Sequence, residues 1–79
     1  MDLTLIKKVA NGEFCYKLFR STFYKGYYVI IAQTKKEFYC GSFASSKEGA
    51  EKLFLEICET ATEPYCIADI LSDFQKQMA

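Results

Sequence analysis

The spacing of apolar residues changes once along the chain, near Ala44. Before this point the apolar residues form short blocks rich in Tyr, Phe, Ile and Val, separated by Gly or polar turns, which is typical of strands. After it they recur every three or four residues, as they do along one face of an amphipathic helix. This order predicts an α+β fold in which the strands precede the helices.

Four segments have the composition of strands. The third, Tyr27 to Ala32, is apolar on both faces, as expected for the central strand of a sheet. In the second, three alternate apolar residues are predicted to face the core, because Lys17 lies on the other side of the strand and is expected to contact water. These residues are Phe14, Tyr16 and Leu18. The predicted strands cover about residues 3–9, 14–20, 27–33 and 37–43.

Short turns between the strands predict an antiparallel four-stranded meander. Asn11 and Gly12 together suit the positive φ angles of a type I′ hairpin turn. Gly41 is predicted to bulge the end of the fourth strand. Three questions stay open: the strand order, whether the first strand lies at the edge or in the middle, and which sheet face the helices cover.

Two amphipathic helices packed on one face of the sheet are predicted over about residues 46–60 and 64–77. Ser45 and Glu48 match a capping box for the first helix, and Pro64 suits the first turn of the second. Each helix carries one apolar stripe. The stripes are Ala50, Leu53, Phe54, Ile57 and Ala61 in the first helix, and Ile67, Ile70, Leu71, Phe74 and Met78 in the second.

Length and composition favour one small domain over residues 1–79. Hydrophobic residues make up 51% of the chain, and seven Phe and six Tyr supply large side chains for a core. A domain of this size has little interior. Some aromatics are therefore expected to lie on the surface or in a contact with another chain.

Charge is balanced overall but not along the chain. Ten basic and ten acidic residues give a net charge of zero, so no anionic partner is obligatory. Residues 1–43 hold seven basic and three acidic residues, whereas residues 44–79 hold three and seven. The N-terminus lacks the features of a secretory signal, and no apolar run has membrane-spanning length. A cytoplasmic protein without a membrane partner is expected.

The residue types needed for catalysis are scarce. Histidine is absent, which excludes most catalytic triads and metal sites. The four cysteines are too widely spaced for a zinc motif and are predicted to be reduced and structural; Cys66, near a helix start, is the one candidate nucleophile. Asp69 and Asp73 are expected to be a solvated helix face. The chain is therefore predicted not to be an enzyme, with no catalytic or metal residue and no cofactor.

Basic and aromatic residues of the sheet form a candidate interaction surface. It consists of Lys17, Phe19, Arg20, Tyr24, Lys25 and Tyr39. The favoured function is a protein-interaction or regulatory module that binds an unknown protein partner or forms a homodimer through exposed aromatics. The alternative is single-stranded nucleic-acid binding, in which the lysines attract phosphate and the aromatics stack on bases.

Several segments resemble a family of small uncharacterised proteins from spore-forming Gram-positive bacteria. These segments are a Tyr-rich strand pair, the central Tyr27-Tyr28-Val29-Ile30-Ile31, the strand Glu37-Phe38-Tyr39, the helix Ala50 to Ile57, and Ile67-Ala68-Asp69-Ile70-Leu71-Ser72-Asp73-Phe74 after a proline. The resemblance extends from about Tyr16 to Phe74. It implies a compact domain in a bacterial cytosol, and it carries over no activity and no functional residue.

Overall fold

A computed structural model describes residues 2–78, except for the side chain of Met78, so the prediction for that side chain lies outside the described part. The elements are β1 (Leu3–Asn11), β2 (Phe14–Ser21), β3 (Tyr27–Gln33), β4 (Phe38–Ala44), α1 (Lys47–Glu59) and α2 (Pro64–Met78). The four strands form one antiparallel sheet in chain order, with β1 and β4 at its edges. The predicted α+β meander followed by two helices is confirmed.

Both helices lie on the same side of the sheet, which we call the helix face. The strand residues buried there are Tyr16, Leu18, Tyr28, Ile30, Ala32 and Phe43. Helix α1 lies against β1 and β2, whereas α2 lies against β4, where the rings of Phe74 and Phe43 meet edge to face at 5.8 Å. The predicted core side of β2 and the apolar stripes are confirmed, apart from Ala61, which lies beyond the end of α1.

The first hairpin turn lies one residue later than predicted. Asn11 pairs with Phe14, so Gly12 takes the first central position with a φ of +64°. A positive φ at this position alone fits a type II′ turn, and the predicted type I′ turn is wrong. Asn11 instead extends β1, and its Nδ2 donates to the carbonyl oxygen of Cys58 at 3.0 Å. This bond satisfies a carbonyl near the C-terminus of α1.

The irregularity in the sheet lies in β1 and not in β4. The pairing of β1 with β2 shifts between Leu5 and Lys7, whereas Gly41 pairs regularly with Ile30. The predicted bulge at Gly41 is therefore wrong. Gly41 serves another purpose, since the ring of Tyr39 occupies the space that a Cβ at this position would need. The absence of a side chain lets Tyr39 lie flat along β4.

Helix α1 also begins one residue later than the predicted capping box. The N-cap is Ser46, whose Oγ accepts from the backbone N–H of Gly49 at 3.1 Å. Ser45 still follows the sheet register, since its N–H donates to the carbonyl oxygen of Gly26 at 2.8 Å, and this bond leaves no donor for the Glu48 side chain. The first helical hydrogen bond is accepted by the carbonyl oxygen of Ser46, from the N–H of Ala50 at 2.9 Å. The capping box of Ser45 with Glu48 is therefore wrong.

The C-terminus of α1 is closed by a Schellman motif. The N–H of Thr62 donates to the carbonyl oxygen of Ile57 at 3.1 Å, and the N–H of Ala61 donates to that of Cys58 at 3.2 Å. This geometry places Ala61 in the left-handed region with a φ of +50°. Left-handed backbone is unfavourable for a residue with a Cβ, and glycine is the usual choice at this position.

Replacing Ala61 by Gly is expected to raise the free energy of unfolding by about 0.5–1 kcal/mol, because it removes this strain at some cost in unfolded-state entropy. Urea denaturation followed by circular dichroism measures the change. The matched control is Lys52→Gly in the exposed middle of α1, which should destabilise by about 0.8–1 kcal/mol. An Ala61→Gly protein that is less stable than the wild type would contradict the strain argument.

Candidate functional site

The side of the sheet opposite the helices carries no covering layer within residues 2–78, and we call it the open face. Because side chains alternate along a strand, the register assigns its members. They are Leu3, Leu5, Lys8 and Ala10 from β1; Cys15, Lys17, Phe19 and Ser21 from β2; Tyr27, Val29, Ile31 and Gln33 from β3; and Phe38, Cys40, Ser42 and Ala44 from β4.

The open face is unusually apolar for a surface in contact with water. Seven large apolar side chains are exposed in the described part of the chain, and five of them lie on the open face or at its rim. These five are Leu5, Tyr27 and Phe38 on the strands, and Phe23 and Tyr24 in the β2–β3 loop. Phe38 lies at the end of the face opposite Phe23, Tyr24 and Tyr27. Exposed apolar side chains gathered as these three are commonly mark a binding site.

A groove of about 460 Å³ lies at one end of the open face. Its walls are formed chiefly by Leu3, Phe23, Tyr24, Tyr27 and Val29, with two serines and Asp2 at the margin. The rings of Tyr24 and Tyr27 meet edge to face at 6.2 Å. The backbone N–H of Tyr24 also donates to Ser21 Oγ at 3.2 Å, which ties the aromatic loop to the end of β2. Residues of the strands and of the β2–β3 loop therefore form the groove together.

The charge on the open face has one sign. Lys8 and Lys17 are directly opposite each other on β1 and β2, and no acidic residue belongs to the face. Like charges directly opposite on neighbouring strands destabilise a sheet. Asp2 stands at the rim of the groove. The face thus combines an apolar groove with a neighbouring pair of ammonium groups.

Four of the six residues in the predicted interaction surface lie on or beside the open face. Lys17 and Phe19 belong to it, Tyr24 lines the groove, and Lys25 is exposed in the same loop. The other two do not join them. Arg20 pairs with Tyr28 and Tyr39 pairs with Ala32, which places both on the helix-face side of the sheet.

Several members of the face had no distinctive sequence signal. Leu5, Val29, Ile31 and Phe38 have the composition of ordinary core residues, and only the strand register shows that they lie away from the helices. The one available indication was the third strand, which is apolar on both faces.

The cysteines are all free and do not converge. Cys58 is buried in the core, and burial, together with nearby Glu59, raises the pKa of its thiol to about 11. This thiol therefore stays protonated at neutral pH. Cys66 is half-buried at the start of α2. Within residues 2–78, no three Cys, Asp or Glu side chains come close enough to hold a metal ion.

Comparisons with known proteins give no relative. No protein-family model matches the chain, and no curated protein and no solved structure matches it. The resemblance to proteins of spore-forming bacteria stays a prediction. None of the helices described in residues 2–78 is long and apolar enough to cross a membrane.

Proposed function

We propose that the chain is a small cytosolic module of protein interaction or regulation, without catalytic activity, and that its open face binds an apolar segment of a partner protein. One observation carries this proposal. Strand β3 is apolar on both faces, yet the helices cover only the side of Tyr28, Ile30 and Ala32. Val29 and Ile31, on the other side, have the composition of a covered strand, yet they are only half-buried and no helix lies over them.

The chemistry of the open face indicates what the partner segment carries. Its apolar side chains would enter the groove between Leu3, Tyr24 and Tyr27. An acidic side chain beside them would lie between the ammonium groups of Lys8 and Lys17 and relieve their repulsion. An amphipathic helix with a flanking row of carboxylates has both features. The four free cysteines agree with a reducing compartment.

Single-stranded nucleic acid is the second candidate, because Lys17 and Phe19 lie on the same face and could pair phosphate attraction with base stacking. Two of the six residues on which this hypothesis depends, Arg20 and Tyr39, lie on the opposite side of the sheet. The protein-binding proposal is therefore the better supported of the two.

A synthetic amphipathic peptide tests the proposal, with Leu at helical positions i, i+3, i+4 and i+7 and Glu along one flank. The wild type is expected to bind the labelled peptide in a fluorescence anisotropy titration. The double variant Phe23→Ser with Tyr24→Ser should weaken binding by at least about tenfold, a change of about 1.4 kcal/mol. Both side chains are largely exposed, so the fold should be unaffected.

The matched control is Tyr65→Ser, which removes an equally exposed aromatic from the helical side and should bind as the wild type does. A peptide with Lys in place of Glu should bind more weakly. No binding of the acidic peptide, or equal weakening by Tyr65→Ser, contradicts the proposal. Binding of labelled oligothymidylate instead, lost in Lys8→Gln with Lys17→Gln and steeply dependent on salt, would favour the nucleic-acid function.

A further inference from the structure

The two edge strands of the sheet differ in how they are protected against pairing with another strand. β1 carries a register shift between Leu5 and Lys7 and two adjacent lysines, Lys7 and Lys8. Bulges and lysines are the usual protection of a free edge. β4 (Phe38–Ala44) pairs with β3 without interruption and contains no charged residue and no proline. By these criteria β4 is an unprotected edge.

Hydrogen bonds at both ends of β4 show which of its backbone groups point outward. The N–H of Thr34 donates to the carbonyl oxygen of Glu37 at 2.9 Å, and the N–H of Ser45 donates to that of Gly26 at 2.8 Å. The backbone N–H and C=O groups of the odd-numbered residues in this regular strand therefore point toward β3. Those of the even-numbered residues point outward, away from the edge of the sheet. The outward set is Phe38, Cys40, Ser42 and Ala44.

Gln75 of α2 already occupies the last of these positions. Its Nε2 donates to the carbonyl oxygen of Ala44 at 2.9 Å, and its Oε1 accepts from the N–H of the same residue at 3.4 Å. The side-chain amide thus acts as one residue of a neighbouring strand would. Phe38, Cys40 and Ser42 remain, three alternate residues whose outward N–H and C=O groups make no backbone hydrogen bond within the described chain.

We propose that a second copy of the chain pairs with this edge, β4 against β4 in antiparallel orientation about a two-fold axis at Cys40. In this register Cys40 is opposite Cys40 of the other copy, and Phe38 is opposite Ser42. The outward N–H and C=O groups of Phe38, Cys40 and Ser42 then all bond to the other copy, in about six backbone hydrogen bonds. Neither Gln75 is displaced. Shifting the register in one direction would require displacing Gln75, and shifting it in the other leaves Ser42 unpaired.

Helix α2 has a surface suited to this arrangement. It runs along β4, from Pro64 and Tyr65 beside Phe38 to Gln75 beside Ala44. Ala68 and Ser72 share the helix flank of Gln75, because residues three, four and seven apart lie on one side. Both are small, uncharged and exposed.

The two α2 helices of such a pair would be close neighbours. Strands pair about 4.8 Å apart, whereas helices pack with their axes about 8–10 Å apart. The pairing therefore requires each α2 axis to be set back from the edge of its own sheet, with small side chains where the two helices meet. Ala68 lies about a third of the way along α2, as Cys40 does along β4, and so stands near the axis. The β4 edge and this flank of α2 can therefore each contact the same element of the second copy about one two-fold axis.

The pairing would join two sheets into one of eight strands and set the two open faces side by side. It goes beyond the proposed function, since it uses the edge and not the face. The exposed ring of Phe38 would gain a neighbour across the new strand pair.

Sedimentation equilibrium and thiol crosslinking test the inference. The wild type is expected to sediment at twice the chain mass of 9.1 kDa. With Cys15→Ser and Cys66→Ser in place, Cys40 is the one exposed thiol, and a short bis-maleimide should convert the chain to covalent dimer, since Cα atoms of such a pair lie about 5.5 Å apart.

Two pairs of variants locate the contact. Ser42→Pro removes an outward N–H and should give a monomer, whereas Ser42→Ala retains it and should stay dimeric. Ala68→Glu should also dissociate the dimer, while Leu55→Glu, at an exposed position of α1, should not. Circular dichroism verifies that each variant is folded, and a second outward position, Cys40→Pro, replaces Ser42→Pro if the latter unfolds.

A wild type that is monomeric throughout a concentration series would overturn the inference. So would a dimer that Ser42→Pro leaves intact, that Cys40 does not crosslink, or that Phe23→Ser with Tyr24→Ser dissociates, because the contact would then lie elsewhere. Loss of peptide binding in that double variant with dimerisation retained would separate the two proposals.

Discussion

Replacing Phe54 by Ala is expected to lower the free energy of unfolding by about 3–5 kcal/mol, the usual cost of deleting a buried aromatic ring. Phe54 lies in the middle of α1, is fully buried, and belongs to the cluster that joins the helices to the sheet. A domain this small has a total stability near the lower end of about 5–15 kcal/mol. The variant should therefore be largely unfolded or close to it at room temperature.

The next residue along the chain supplies the control. Leu55→Ala changes a side chain that is 41% exposed on the outer side of the same helix and should cost less than about 0.5–1 kcal/mol. Urea denaturation monitored by circular dichroism measures both variants. Equal losses in the two variants would mean that α1 does not dock through the side that carries Phe54.

Replacing Tyr16 by Phe is expected to destabilise the protein by about 1–3 kcal/mol, although it removes a single oxygen atom. The hydroxyl of Tyr16 donates to the carbonyl oxygen of Thr62 at 2.7 Å and so ties β2 to the connection between the helices. Without the hydroxyl, the carbonyl oxygen of Thr62 loses its hydrogen-bond donor in a part-buried environment. The same burial raises the pKa of Tyr16, since ionisation would put a charge in the core beside Cys58.

Tyr65→Phe makes the same chemical change at a largely exposed ring and should alter stability by less than about 0.5 kcal/mol. Thermal and urea unfolding of the two variants give the comparison. If Tyr16→Phe were as stable as the wild type, the bond to Thr62 would contribute nothing, and the link between β2 and the helix connection would need another explanation.

The order and type of the elements could be predicted because the local signals agreed. The spacing of two residues in β2 and the spacing of three and four in α1 each come from residues that do face the core, such as Leu18 and Ile57. Gly or polar residues separate the strands, which favoured sequential hairpins and hence the observed meander.

Details that depend on distant residues could not be predicted in the same way. Ser46 and not Ser45 caps α1, since the hydrogen bond from the N–H of Ser45 to the carbonyl oxygen of Gly26 keeps Ser45 in the sheet register. Asn11 extends β1 instead of forming the turn, where it can reach the carbonyl of Cys58. In both cases the observed cap or turn lies one residue after the predicted one, and a contact from elsewhere in the chain accounts for the difference.

The candidate site was only partly predictable for a related reason. Lys17 and Phe19 are two residues apart on one strand, so their common face followed from the sequence. Placing Arg20 and Tyr39 required knowledge of which residues β2, β3 and β4 set opposite each other. A shift of one residue in that register would move either side chain to the other face.

Side-chain oxidation by hydroxyl radicals, performed at protein concentrations low enough to keep the chain monomeric, tests the central claim that one sheet face is covered and the other bare. Tyr27 and Tyr28 are neighbours on β3 and of identical chemistry, with exposures of 50% and 4%. Tyr27 should be oxidised rapidly, together with Leu5 and Phe38, and Tyr28 should be strongly protected. Equal protection of Tyr27 and Tyr28 in the monomer would contradict it.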